Sequence, residues 1–247
     1  MRTYKLTIAY DGSRFRGWQR QPDTDLTIQG TLERIVSELA GYPVEVQGSG
    51  RTDGGVHASA QVASIILSGK IEEEAYKKEI NRKLPEDIRV LDIALMKNGF
   101  HARKKAHGKH YVYTVDTREK ADVFTRKYAY HFPEKIDVVR MGEAAERLIG
   151  KHDFAAFTDR MEPGKSTVRE IYQISIDASD DKIRIDYNGS GFMYHMVRIL
   201  TGTLLETGTG ARKPEQITEA LETKVRQMAG PLAPSQGLCL TEVDYEA

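Results

Sequence analysis

One carboxylate in this chain stands between a guanidinium and two glycines, in Gly50-Arg51-Thr52-Asp53-Gly54-Gly55-Val56-His57. A fixed neighbouring cation keeps Asp53 ionised, and the glycines let the backbone of a bulky second molecule come close. An ionised, approachable carboxylate can serve as nucleophile or general base. Asp-Gly is also ordinary turn punctuation, so the octad alone does not establish chemistry. A glycoside hydrolase would need a second carboxylate as partner, and no acid accompanies Asp53 within the octad.

Three further places could serve such a site. Arg198 interrupts the apolar run Phe192-Met193-Tyr194-His195-Met196-Val197-Arg198-Ile199-Leu200. A cation there must find a partner or reach a cleft, because burial without one costs several kcal/mol, roughly. Tyr111 and Tyr113 alternate on one face of a strand that follows a basic strip, where an exposed ring would stack on a base and a buried one would belong to the core. Gly237-Leu238 introduces the last strand and could set an apolar side chain beneath the site.

Overall charge is balanced, with 36 Lys plus Arg against 36 Asp plus Glu, but it is unevenly placed. The stretch from His101 to His110 holds Arg103, Lys104, Lys105 and Lys109 with three histidines and no acid. Arg14, Arg16 and Arg20 interleave with Phe15 and Trp18, while acid collects at Glu72-Glu73-Glu74 and at Glu242, Asp244 and Glu246. Local basic patches on a neutral chain suit a selective nucleic-acid binder; a solvated charged face is the plainer reading of either patch alone.

Other chemistries lack support. Cys239 is the single cysteine, so neither an internal disulfide nor a cysteine metal cluster is available. His101, His107 and His110 have no carboxylate or cysteine at ligand spacing, and His57, His152 and His195 are scattered enough to be structural. Gly164-Lys165-Ser166 imitates a phosphate loop, but Asp159 stands where that loop needs glycine. Gly208-Thr209-Gly210 lacks the third glycine of a dinucleotide fingerprint. No metal or cofactor is therefore expected. No apolar run reaches membrane-spanning length and the amino terminus leads directly into a strand pattern, so a cytoplasmic location is expected.

Two similar series of elements carry these residues. Tyr4, Leu6, Ile8 and Tyr10 alternate as a strand, and Ile28, Leu32, Ile35, Val36 and Leu39 follow helical spacing between a Thr27 cap and a Gly41 stop. Val44 and Val46 begin a strand leading to the Asp53 turn, followed by a strand at 61–67, a helix at 71–84 and a strand at 88–95. The second series has a strand at 109–115, a helix at 138–149, and strands at 167–176 and 182–187 joined at Ser179-Asp180-Asp181. Helices at 192–206 and 214–224 and a strand at 238–245 complete it. The expected fold is α+β: two tandem ferredoxin-like β-α-β-β-α-β units with antiparallel sheets flanked by helices. The first would occupy 1–104 with the Asp53 loop, and the second 105–247.

Taken together, these segments resemble the tRNA pseudouridine synthase A family over essentially the whole chain. The matching residues are Tyr10-Asp11-Gly12, Gly17-Trp18-Gln19-Arg20-Gln21, the Gly50–His57 octad, Phe100-His101-Ala102-Arg103, Lys109-His110-Tyr111-Val112-Tyr113, the run from Phe192 to Arg198, and Gly237-Leu238. Many members carry Ala where this chain has Gly55, a minor departure. The resemblance implies isomerisation of uridine to pseudouridine in the tRNA anticodon stem-loop by a homodimer, without cofactor or metal. It makes Asp53 the essential carboxylate, Tyr111 the ring packed against the target base and Arg198 the countercharge of Asp53. Arg51 would help to displace the nucleotide, while Arg14, Arg20, Arg103, Lys104, Lys105, Lys109 and Leu238 would contact substrate. Two other functions fit parts of the pattern: a non-catalytic RNA-binding protein with two base-stacking sheets, and a base-removing hydrolase.

Overall fold

The computed structural model describes residues 1–179 and 181–245; the expected turn residue Asp180 and the acidic-tail residue Glu246 lie outside the described residues. The fold is mixed α and β, in two units: Met1–His107 with the closing segment from Cys239, and Gly108–Leu238.

The first unit runs β1 (Arg2–Tyr10), α1 (Ile28–Ala40), β2 (Gln47–Gly48), β3 (His57–Leu67), α2 (Glu73–Lys83) and β4 (Ile88–Met96). Strand β1 is central, antiparallel to both β3 and β4. Its alternation buries Tyr4, Leu6, Ile8 and Tyr10 on one face, as the period of a half-buried strand requires. Helix α1 is capped by Thr27, whose side chain accepts from the Gly30 amide, and stops at Gly41 in the left-handed conformation. Between those ends it buries Ile28, Leu32, Ile35 and Val36, each contributing about 1.5–3 kcal/mol.

The strand expected from Val44 onward shrinks to Gln47–Gly48. Val44 and Val46 are buried, but α1 satisfies their backbones. The Val44 amide donates to Ser37 Oγ at 2.8 Å, the Val46 amide to Glu33 Oε1 at 3.2 Å, and Gln29 Nε2 to the Val46 carbonyl at 3.1 Å.

The second unit contains β5 (Ala106–Asp116), whose first two residues belong to the first unit, then β6 (Tyr130–His131), α3 (Val138–Glu146), β7 (Gly150–Asp153), β8 (Val168–Ala178), β9 (Lys182–Gly189), α4 (Met196–Thr209) and α5 (Glu215–Thr223). Its strands lie in the order β5-β9-β8-β7, antiparallel from β5 through β7. The core includes Tyr113, Val115, Ile183, Ile185 and Tyr187 from the sheet, with Met141, Ile199, Leu200 and Leu204 from helices.

Two helices differ from expectation. The one predicted to reach 149 ends at Glu146 and yields to β7. The one predicted from Phe192 starts at Met196, because His195 takes a left-handed φ of 63° that no continuing helix can hold. The final strand, β10 (Leu238–Tyr245), was expected to close the second series. It pairs in parallel with β3, Cys239 opposite His57 and Leu240 opposite Ala58. That end of β3 is open to it, since β2 covers β3 only at Ala63 and Ser64. The β3–β10 and β5–β6 ladders are parallel, so the sheets are not wholly antiparallel.

Candidate active site

Asp53 lies in the loop between β2 and β3, where the sequence places it. The loop is fastened from below. The Ser49 amide donates to the Val62 carbonyl at 2.7 Å, and Ser49 Oγ donates to Gln61 Oε1 at 2.6 Å. Gln61 Nε2 donates to the Gly50 carbonyl at 3.2 Å, and the Tyr10 hydroxyl meets Thr52 Oγ1 at 2.8 Å. Tyr10, Gln61 and Thr52 are all buried, so these bonds form in a medium where an unmade one is expensive. Burial also drives the Tyr10 hydroxyl's pKa upward, against the hydrogen bonds to Thr52 and Gln61, and keeps it protonated.

The segment after β1 braces the loop from the side. The Trp18 amide donates to the Thr52 carbonyl at 3.0 Å, and the Gly55 amide to the Phe15 carbonyl at 3.3 Å. Gly17, at a φ of 97°, lies so close that a Cβ would come within 2.6 Å of the Thr52 carbonyl oxygen. His57 is buried, with Nδ1 accepting from the Gly12 amide at 3.1 Å and 3.2 Å from Asp11 Oδ1. The octad and the Tyr10–Trp18 segment, distant in sequence, are thus one assembly. It holds Asp53 half-buried at its mouth and Arg51 exposed beside it.

Arg14, Arg16 and Arg20 are exposed but not a bare positive stripe. Arg14 pairs with Asp87, Arg16 with Asp23 at 3.7 Å, and Arg20 with Glu33 at 3.1 Å. Arg16 and Asp23 are both exposed, whereas Asp87 and Glu33 are mostly buried beneath their arginines. Arg103, Lys104 and Lys105 are exposed and take part in none of the ion pairs among the described residues; Lys109 is half-buried on β5.

In the second unit, Tyr111 and Tyr113 share a face of β5, and both are buried. Tyr111 keeps 7% of its surface exposed and Tyr113 none. Its ring meets Phe192 edge-on, with centroids 5.4 Å apart. The Tyr113 hydroxyl donates to the Pro234 carbonyl at 2.7 Å, and Arg198 Nε donates to the adjacent Ala233 carbonyl, also at 2.7 Å. The Ala233 amide returns a bond to the Arg198 carbonyl at 3.2 Å. One short loop thus ties strand β5 to the head of α4. Gly237 allows it: a Cβ there would stand 2.7 Å from the Tyr113 ring. Leu238 follows, buried at the start of β10. Arg198 is half-buried in the first turn of α4, where a cation opposes the helix dipole.

Sequence reading did not single out Tyr10 with Thr52 and Gln61, since nothing local links positions so far apart. It noted Asp159 only as a break in a phosphate-loop pattern, whereas Asp159 binds His195 Nδ1 at 2.6 Å and Arg226 Nε at 2.7 Å and so anchors the turn before α4. His57, His152 and His195 each have structural partners, as expected of scattered histidines.

Known proteins resemble this chain along most of its length. A family model described as tRNA pseudouridine synthase matches residues 6–103 and 144–246. A tRNA pseudouridine synthase A 2 of Bacillus cereus (strain ZK / E33L) is 41% identical over 245 residues, 99% of this chain and 100% of the relative. A tRNA pseudouridine synthase A 2 of Clostridium perfringens is 42% identical with the same coverage. One of Syntrophotalea carbinolica, named tRNA pseudouridine synthase A, is 40% identical over 99% of this chain and 97% of its own. A solved chain from a Cbf5-Nop10-Gar1 complex aligns over 96% of this chain and 48% of its own, at 10% identity and a TM-score of 0.39, too distant to carry an argument.

Proposed function

This chain belongs to the tRNA pseudouridine synthase family, and from that premise we propose that Asp53 opens the glycosidic bond of a uridine in the tRNA anticodon stem-loop. The enzyme is an isomerase: the uracil of a tRNA uridine leaves C1′ through N1, turns over and rejoins through C5. The C5 proton is lost and N1 gains one, so the reaction balances without water or an electron carrier.

Under this proposal Asp53 acts as nucleophile or base, at C1′, at C6 or on the 2′ proton, and divides one hard step into easier ones. Tyr111 packs against the uracil and assists removal of the C5 proton, and Arg198 serves as the countercharge of Asp53. Arg51 helps to extrude the nucleotide, which costs a few kcal/mol, about what phosphate contacts from Arg14, Arg20, Arg103, Lys104, Lys105 and Lys109 can offset. Leu238 supports the base from below. Each unit is read as ferredoxin-like, the first carrying the Asp53 loop, in a cytoplasmic homodimer.

The observation that carries this reading is the bracing of the Asp53 loop. A carboxylate held by backbone bonds from Trp18 and Gly55 and by the Tyr10–Thr52–Gln61 network is fixed before substrate arrives. An ordinary surface turn needs no such support.

The test is tritium release from tRNA labelled at uridine C5. Wild type releases tritium without free uracil, and Asp53→Asn releases it orders of magnitude more slowly. Equal release by Asp53→Asn would remove Asp53 from the chemistry, and pseudouridine mapped outside the anticodon stem-loop would overturn the site assignment. A monomer in sedimentation would remove the homodimer.

A further inference from the structure

The segment 117–129 leaves β5 and returns beside it. Val115 pairs with Tyr130 and Asp116 with His131 in the parallel β5–β6 ladder, so the two ends of the excursion meet. A surface loop whose ends touch and which is held by its own bonds is an Ω-loop, a form often used for recognition.

Its base is locked by one buried carboxylate. Asp116 accepts from Arg118 Nε at 2.8 Å, from Arg118 Nη2 at 2.9 Å, and from the amides of Arg118 and Asp122 at 3.2 and 3.3 Å. Asp122 then accepts from the Phe124 amide at 2.9 Å and from Thr125 Oγ1 at 3.2 Å. The Arg126 amide closes a helical turn onto the Asp122 carbonyl at 3.0 Å, and His131 Nε2 lies 2.9 Å from the Arg118 carbonyl.

This bracing presents apolar surface to water. Phe124 is 88% exposed, Val123 59% and Tyr128 49%. Segment 123–128 also carries Arg126 and Lys127 and has no carboxylate. A braced loop that holds a phenyl ring in solvent, with cations beside it, has the chemistry of a single-strand nucleic-acid contact: stacking by the ring and phosphate neutralisation by the cations. A second copy of this chain is a poorer match, because its charge is balanced overall whereas RNA is a polyanion.

We infer that the loop 117–129 is a second tRNA contact, in which Phe124 stacks on an unpaired base and Arg126 and Lys127 meet the adjacent phosphates. The inference rests on tRNA being the substrate, not on Asp53 being the reactive carboxylate.

Binding of unmodified tRNA by the full chain, followed by fluorescence anisotropy over a salt series, tests it. Phe124→Ala is expected to raise Kd about five- to hundredfold at fixed salt, and Phe124→Leu to behave like Ala. Phe124→Trp should stay within about twofold of wild type, since a ring is retained. Arg126→Ala and Lys127→Ala should each lower the salt slope by about one. Wild-type affinity in Phe124→Ala would overturn the inference, as would full affinity in Phe124→Leu, which would make the contact apolar rather than stacked. Unchanged tRNA affinity with a shifted sedimentation coefficient in Phe124→Ala would assign the loop to contact between copies and also overturn it. A wild type that binds through Phe124 yet releases no tritium would sink the Asp53 chemistry and leave this contact standing.

Discussion

Gly17 turns its Cα toward the carbonyl of Thr52, leaving no room for a side chain between the first loop of the protein and the residue before Asp53. The contact combines a left-handed backbone with backbone-to-backbone packing, so relief by a flexible neighbour is not available. Gly17→Ala is expected to cost about 1–3 kcal/mol in stability through strain alone. Because the displaced atoms are the carbonyls of Thr52 and Asp53, kcat should fall about a hundredfold, the order of loss that misplacing a catalytic group brings. Gly54→Ala is the control: its Cβ would sit 3.5 Å from the Phe15 carbonyl, at ordinary contact distance. That variant should keep its melting temperature. Parallel thermal melts and tritium-release rates separate the two, and equal behaviour would contradict the bracing role of Gly17.

Beneath the loop, the Tyr10 hydroxyl and Thr52 Oγ1 form a buried pair. Tyr10→Phe removes the hydroxyl while leaving the ring beside Trp18, 6.2 Å between centroids. A loss of about 1 kcal/mol in stability is expected, with a fall in kcat at nearly unchanged tRNA affinity. Adding Thr52→Val should then cost less than it does in wild type, because its partner has already gone. Denaturant titration of the four members of this cycle measures the coupling, and strict additivity would show that the pair does not act as a unit.

Much of this arrangement could be read from the chain, and the limits have identifiable causes. The alternation in Tyr4–Tyr10 and the caps Thr27 and Gly41 are local signals, and β1 and α1 form where they indicate. Val44 and Val46 look like strand residues, yet side chains of α1 take their backbone bonds, a tertiary event that no local pattern announces. His195 is hidden in an apolar run that reads as helix; its left-handed turn depends on Asp159, far away in sequence. The turn that carries Asp53 was legible because Arg51, Gly54 and Gly55 lie beside it in the chain. Its support by Tyr10, Thr52 and Gln61 was not, because they meet only in the folded sheet. Arg14, Arg16 and Arg20 read either as a basic patch or as a solvated charged face, and only the fold sets carboxylate partners beside them.

Arg198 donates through Nε to the Ala233 carbonyl, which fixes the plane of its guanidinium and leaves its remaining donors directed by that plane. Lysine carries the charge but not this bond geometry. Arg198→Lys should therefore retain the fold and lose at least about tenfold in kcat, while Arg198→Ala loses more. If Arg198 serves through Asp53, combining Arg198→Ala with Asp53→Asn should reduce activity scarcely further than Asp53→Asn alone, since residues acting as a unit are not additive. Single-turnover rates on the four proteins decide it. A multiplicative loss would give Arg198 a task independent of Asp53.

The carboxylate at the base of the 117–129 loop also makes stability depend on acid. Hydrogen bonds from Arg118, opposed by burial, lower the Asp116 pKa from an ordinary 3.8 to about 2. A carboxyl that is more acidic when folded stabilises the fold fully above its unfolded value and loses that contribution as pH falls through the folded one. Stability from Asp116 is thus complete above about pH 4 and fades between about pH 4 and 2. Asp116→Asn removes the titrating group and weakens the hold on Arg118. The melting temperature of the variant should lie below wild type at pH 7, and the gap should narrow as pH drops towards 2. Other carboxylates titrate in both proteins, so the difference between the two curves isolates Asp116. A gap that stays constant from pH 7 to pH 2 would show that the Arg118 contact does not depend on the charge of Asp116.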